Sequence, residues 1–158
     1  MNISLMATDA EREACAQIMA LSDPWVTLGY THGELRERFD APGVEVYVLT
    51  EDERVAAFAV VSMRGILSGY LQSIAVAEAY RGRGLGTALL RFVEERVFRE
   101  KPNVFLFVSS FNHGARRLYE SLGYEMIGTV KDFLVKGCDE QLMRKTIGPL
   151  RGWPMADG

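Results

Sequence analysis

Between Tyr80 and Leu90 the chain reads YRGRGLGTALL, with Gly82, Gly84 and Gly86 at alternate positions, after a strand-like run and before a strongly periodic helical one. Glycine has no Cβ, so successive backbone N–H groups can turn outward, and a helix N-terminus adds the positive end of its peptide dipoles. The spacing suits an anion such as a phosphate. A plain tight turn is the competing reading of the same glycines. Two phosphate chemistries fail on spacing. A nucleotide-hydrolysing loop needs Lys and then Ser or Thr after its last glycine, and here Thr87 and Ala88 follow Gly86. A dinucleotide fingerprint needs a glycine three positions after its second, where this chain has Thr87.

Other reactive side chains are scattered. Cys15 and Cys138 have no CxxC partner, and His32 and His113 are equally isolated, so neither a disulfide framework nor a metal site is expected. Cys15 reads as a buried, inert thiol. The net charge of −3 is nearly balanced, and the basic residues between Arg81 and Lys101 alternate with Glu94, Glu95 and Glu100. That argues against nucleic acid as a partner and is compatible with a cationic amine. No apolar run is long enough to span a membrane, and the N-terminus lacks a basic region followed by an apolar stretch, so a cytoplasmic protein is expected.

The elements that must position these residues follow from periodicity. Residues 2–6 read as a strand, and Thr8 or Asp9 caps a helix with Ala10, Ala14, Ile18 and Leu21 on one face. Pro24 breaks that helix, and Thr31 with Glu34 has capping-box spacing before a second, short helix. From Val44 to Ala77 three strands form an antiparallel meander, the third running from Leu67 to Val76. Leu85, Ala88, Leu89, Phe92, Val93 and Val97 mark a long amphipathic helix. A strand over 104–108, a helix over 112–122 with Gly123 as its left-handed cap, and strands over 124–130 and 141–147 complete the order. The expected fold class is α/β (α+β), a mixed sheet of six or seven strands with helices on both faces. One domain over 1–147 is expected, with a loosely packed tail over 148–158.

Two segments resemble the GNAT acetyltransferases. Leu71-Gln72-Ser73-Ile74-Ala75-Val76 followed by Tyr80 to Leu90 is similar to their acetyl-CoA-binding motif, whose Q/R-x-x-G-x-G/A core is met by Arg81, Gly84 and Gly86. Asn112 to Tyr124 is similar to their N-x-x-A-x-x-L-Y-x-x-x-G-F/Y signature. The resemblance implies an acetyl-CoA-dependent N-acetyltransferase acting on a primary amine, with acetyl-CoA as the acetyl donor. It implies that the main chain of Ile74, Ala75 and Val76 binds the pantetheine arm and that an N–H at the end of their strand polarises the thioester carbonyl. It further implies that the amides of Arg81, Gly82, Arg83, Gly84, Leu85, Gly86 and Thr87 hold the pyrophosphate. Asn112 would contact the cofactor arm, with a plain helix N-cap as its alternative. Tyr119 would stand near the sulfur and protonate the departing thiolate.

A base is harder to place. Relatives that acetylate protein N-termini often carry Glu or His on the strand before the second motif, and the matching position here is Phe107. Tyr70 matches a catalytic tyrosine of some N-terminal acetyltransferases and is the candidate proton relay. Glu45, Glu51, Gln72 and His113 are further polar candidates, and Trp25 or Tyr30 would face the acceptor. The acceptor class stays open between a protein N-terminus, a lysine and a small amine. A non-catalytic acyl-CoA sensor is the alternative function, and the Trp153 tail leaves room for a homodimer.

Overall fold

The computed structural model describes residues 1–153. Strand β1 (Asn2–Leu5) leads into helix α1 (Asp9–Ala20), then α2 (Trp25–Leu28) and α3 (His32–Glu37). Strands β2 (Val44–Glu51), β3 (Arg54–Ser62) and β4 (Tyr70–Val76) form the meander. Helix α4 (Leu85–Phe98), β5 (Asn103–Ser109), α5 (His113–Ser121), β6 (Glu125–Val135) and β7 (Cys138–Thr146) follow. Seven strands make one sheet in the order β1-β2-β3-β4-β5-β7-β6. All neighbours are antiparallel except β4 and β5.

Alternation along the strands divides the core between two faces. Val46, Val48, Phe58 and Val60 point to one face, where they pack with Cys15, Ala16 and Met19 of α1 and Leu35 of α3. Ala57, Ala59, Val61, Leu71 and Leu106 point to the other, packing with Leu85, Leu89, Val93 and Val97 of α4. Leu89 and Val93 are fully buried, and burial of each such side chain stabilises the fold by about 1.5–3 kcal/mol. Of the residues that predicted the α4 stripe, Leu85, Leu89, Phe92, Val93 and Val97 dock it on the sheet, joined by Leu90, which the stripe did not include.

Of the two cap candidates for α1, Thr8 is the one that closes the helix, and Glu11 completes a capping box. Thr8 Oγ1 accepts from Glu11 N at 3.1 Å while Glu11 Oε2 accepts from Thr8 N, closing α1. Thr31 and Glu34 close α3 in the same way, with Thr31 N donating to Glu34 at 2.7 Å. Gly123, with φ +96°, ends α5.

Several boundaries differ from expectation. The four-residue helix α2 is an addition, too short for periodicity to reveal. Strand β4 starts at Tyr70 rather than Leu67, because Gly69 has φ +88° and turns the chain into the strand. The last two strands are longer than expected. Their hairpin continues past an irregularity at Asp132 (φ +50°), whose carboxylate accepts from Gly137 N at 2.8 Å. In the tail, Ile147 N donates to the Pro102 carbonyl, and the Trp153 ring lies so close over Gly148 that a Cβ there would stand 3.0 Å from Cζ3. Residues 154–158 of the expected tail lie outside the described residues.

Two irregularities open the middle of the sheet. Strands β4 and β5 pair only at Tyr70↔Phe105 and Leu71↔Leu106, and beyond Leu71 they separate into a fork. On the opposite edge of β4, Val61 faces Leu71 while Val60 faces Ser73, so Gln72 is the extra residue of a β-bulge. Without it, Ile74 and Val76 would point to the α1 face instead of packing beside α4.

Candidate active site

The fork exposes a strand edge inside the sheet. Ala77 N donates to Ala56 O at 2.8 Å, which fixes the antiparallel alternation: the main chain of Ala75 turns to β3, and that of Ile74 and Val76 turns into the fork. The three residues the resemblance assigns to the pantetheine arm thus present different groups, and Ala75 turns its main chain away from the fork. Its N–H and C=O belong to the β3 ladder, although it still lines the fork. Ile74 N–H and C=O and Val76 N–H are the groups presented, because Val76 O already accepts from Arg81 Nε at 3.0 Å.

Beside this edge lies a cavity of about 580 Å³ whose lining includes Ile74, Val76, Gly86, Asn112, Leu118 and Tyr119. The glycine turn borders it. Gly82 and Gly84 have φ +75° and +76°, and a Cβ at either would meet nothing within 4 Å. Gly84 is the N-cap of α4, without a side-chain cap bond and with no acidic residue in the first turn. The N-termini of α1 and α3 are closed by their own Thr–Glu boxes, whereas the first-turn amides of α4, including those of Gly86 and Thr87, have no such internal acceptor. The Leu85 side chain is core. Arg81 Nη2 also donates to Ser22 Oγ at 3.0 Å, tying the end of β4 to the end of α1. Arg83 lies 3.7 Å from Glu51 and over the Tyr80 ring, on the surface. Asn112 caps α5 by accepting from Ala115 N and also lines the cavity.

A second cavity, of about 260 Å³, adjoins the first and shares Tyr119, Asn112, Ala115, Ile74 and Asp23 with it. Its walls are Trp25 and Leu28 of α2, Tyr70 of β4, Phe107 of β5 and Phe133 and Leu134 of the β6–β7 hairpin. Tyr70 and Phe107 meet edge to face at 6.0 Å, and Phe107 and Phe133 lie 5.0 Å apart. Tyr119 packs against Tyr124 at 5.7 Å, and desolvation lifts its phenol to about 12. Burial also raises Tyr70, with the nearby Arg38 guanidinium opposing the rise and Glu140 adding to it. Both phenols keep their protons at neutral pH, so they are suited to donate rather than accept.

The other sequence candidates divide. Gln72 lines the second cavity as the bulge residue, and Trp25 lines it from α2. Tyr30 lies instead under the Arg38 guanidinium, 4.7 Å from its ring centre. Glu45 is bound to Arg96 and to the Tyr47 hydroxyl; these bonds outweigh its partial burial and hold its carboxyl low. His113 is exposed on the first turn of α5. Cys15 is fully buried, and desolvation, with Glu11 nearby, pushes its thiol to about 12.

One residue escaped sequence reasoning. Glu140 of β7 is 3% exposed and lines the second cavity. Its Oε2 is buried and without a hydrogen-bond partner among the described residues, as is Ser109 Oγ directly across on β5. Burial raises its carboxyl above the ordinary value, with the Ser109 hydroxyl pulling the other way.

A seven-stranded sheet forked beside a glycine-lined helix terminus has clear counterparts among known proteins. The acetyltransferase (GNAT) family profile matches residues 13–124, and the chain belongs to that family. It is an acetyl-CoA-dependent N-acetyltransferase. The N-alpha-acetyltransferase RimI of Mycobacterium tuberculosis is 28% identical over 151 residues, covering 92% of this chain and 91% of that protein. An aminoglycoside 6'-N-acetyltransferase solved with coenzyme A superposes with a TM-score of 0.77 at 19% identity, over 94% of this chain and 98% of that one. The ribosomal-protein-S18-alanine N-acetyltransferase of Escherichia coli gives 0.75 at 23% identity, over 94% of each chain. Among the described residues no helix is long and apolar enough to cross a membrane.

Proposed function

We propose that this acetyltransferase modifies the α-amine of a peptide N-terminus, with the donor in the fork and the acceptor in the smaller cavity. The observation that carries this reading is the lining of that cavity. Trp25, Leu28, Phe107, Phe133 and Leu134 make it aromatic and apolar, and its charged groups are Asp23, Glu140 and Arg38. One ammonium flanked by apolar side chains suits such a site. A polycationic sugar would meet Arg38 and too few carboxylates. The end-to-end similarity to an N-alpha-acetyltransferase supports the same choice.

Acetyl-CoA, when bound, supplies an acetyl group activated as a thioester. The main chain of Ile74 and Val76 binds its arm as an added strand would, and the amides at the start of α4 hold its pyrophosphate. The fork fits this role: its strand edge is free of β5, and its glycines leave room where side chains would intrude. Tyr119, at the junction of the cavities, gives its proton to the departing sulfur and recovers one from the acceptor nitrogen.

The test is thiol release from acetyl-CoA with free N-terminal peptides, matched N-blocked lysine peptides and aminoglycosides, with mass spectrometry locating the acetyl group. Acetylation at the α-amine is expected, and Tyr119→Phe lowers kcat about 10²-fold or more with little change in the acetyl-CoA-induced rise in Tm. Faster turnover of the blocked lysine peptides or the aminoglycosides would overturn the acceptor assignment.

A further inference from the structure

We infer that Glu140 is the base that takes the proton from the acceptor ammonium, so that this chain carries its base on β7 instead of β5. The inference rests on the placement of the acceptor in the smaller cavity.

The reaction needs a proton acceptor, because a peptide α-amine has a pKa near 8 and is largely protonated at neutral pH. The titratable groups lining the cavity are Asp23, Arg38, Tyr70, Tyr119 and Glu140. Arginine is never a base here, and both tyrosines are held protonated by burial. Asp23 is committed to α2, its Oδ1 accepting from Thr27 N at 3.1 Å and Thr27 Oγ1 at 2.6 Å. Glu140 alone remains, with a shielded oxygen that nothing among the described residues satisfies.

Strand parity places it on the reacting face. Val104, Leu106 and Val108 of β5 point into the α4 side of the core, so Phe105, Phe107 and Ser109 point to the other side. Tyr70 pairs with Phe105, and Glu140 pairs with Ser109. Tyr70, Phe107, Ser109 and Glu140 therefore share one face. Glu140 is the diagonal neighbour of Phe107, a separation of about 7–8 Å between such positions. The rings of Tyr70, Phe107 and Phe133 pack in series along the wall of the cavity that Glu140 also lines, and Glu140 itself is 3% exposed.

Its surroundings explain why it stands alone. Ser109 faces it from β5, Val130 from β6, Tyr70 from β4, Arg38 from the turn after α3, Asp23 from the segment before α2 and Tyr119 from α5. Arg144 lies on the same face of β7, two alternations further along. None of these forms an ion pair with Glu140 among the described residues. A buried carboxylate without a partner is unfavourable until a cation reaches it, and the acceptor ammonium is that cation. Burial also moves the carboxyl toward the range in which a general base works best.

The protons balance. The ammonium gives one proton to the Glu140 carboxylate, and the neutral nitrogen forms its bond to the acetyl carbon as the carbon–sulfur bond breaks. The second proton of the nitrogen reaches the sulfur through Tyr119. Glu140 then releases its proton to solvent, so each turnover yields amide, thiol and one proton.

The experiment compares the full chain with Glu140→Gln and Glu140→Asp, using the peptide that is turned over fastest, across about pH 5.5–9.5. In the wild type kcat/KM rises with pH along an acidic limb. In Glu140→Gln that limb gives way to a rise at the pKa of the free amine, about 8, and kcat/KM at neutral pH falls about 10²–10³-fold; Glu140→Asp keeps part of the limb and of the activity, and acetyl-CoA raises the Tm of all three equally. Independently, ¹³C-carboxyl NMR of the protein without substrates shows one glutamate titrating above the ordinary range, absent in Glu140→Gln. Wild-type kcat/KM with an unchanged limb in either variant overturns the inference while leaving the transferase intact. A Glu140→Gln that does not fold shifts the decision to the Glu140→Asp profile and the wild-type carboxyl titration. Inactivity of the wild type on every amine overturns the proposed function and this inference together.

Discussion

Gly69 sits where the fork begins. Its N–H donates to Ser62 O and its carbonyl accepts from Phe105 N, both at 3.0 Å, so it joins β3, β4 and β5 just before β4 and β5 separate. With φ +88°, an added Cβ would overlap the Asn103 carbonyl and stand 2.8 Å from Val97 Cγ1. Gly69→Ala therefore carries two costs, about 1–2 kcal/mol for the left-handed backbone and about 1–3 kcal/mol for crowding a closed site. For a chain of this size each kcal/mol lowers Tm by about 2–4 °C, so a fall of about 4–20 °C is expected. Gly65→Ala is the matched control: its φ is +92°, but its Cβ would meet nothing within 4 Å, so only the backbone cost applies. Thermal melts of both variants, with and without acetyl-CoA, measure the difference. If Gly69→Ala melts within a degree of Gly65→Ala, the crowding argument is refuted, and with it the claim that the fork apex is rigidly packed.

Arg81→Ala removes the bonds to Val76 O and Ser22 Oγ; a loss of about 1 kcal/mol and a rise of about tenfold in the KM for acetyl-CoA are expected, and a lowered Tm with unchanged KM would make Arg81 purely structural. Because burial raises the Glu140 carboxyl, its contribution favours the fold below the ordinary carboxylate range and is lost as pH rises through the raised value. Glu140→Gln is thus expected to melt above the wild type at neutral pH and to converge with it in acid, as calorimetry across pH checks. With its thiol near 12, Cys15 resists iodoacetamide at pH 8 in the folded protein while half-buried Cys138 reacts, and peptide mapping distinguishes the two.

Legibility in the sequence followed the range of the interaction. The Thr31–Glu34 cap, the α4 stripe and the Gly82–Gly86 turn are local, and spacing alone exposed them, while the α1 cap was narrowed only to Thr8 or Asp9. Gln72 gives no sign of being a bulge, because its extra register position exists only against β3. Glu140 was hidden for a related reason. Within CDEQLMRKT it resembles the solvent side of a strand, and only the insertion of β7 between β5 and β6 encloses it. Ala75 was assigned by resemblance to a motif, yet the Ala77–Ala56 bond decides which way its amide points. Phe107, at the position where the resemblance leads one to expect Glu or His, left the base unassigned in the sequence.

The separated edge of β4 also bears on how the protein survives. An open strand edge is a template for pairing with other chains. On the proposed reading the donor's arm occupies that edge, so the edge is covered while donor or its thiol product is bound and open between turnovers. Saturation at about a hundred times Kd would add about 2.7 kcal/mol to the fold. On the proposed reading, donor occupancy would therefore stabilise the fold and cover its open edge in the same step.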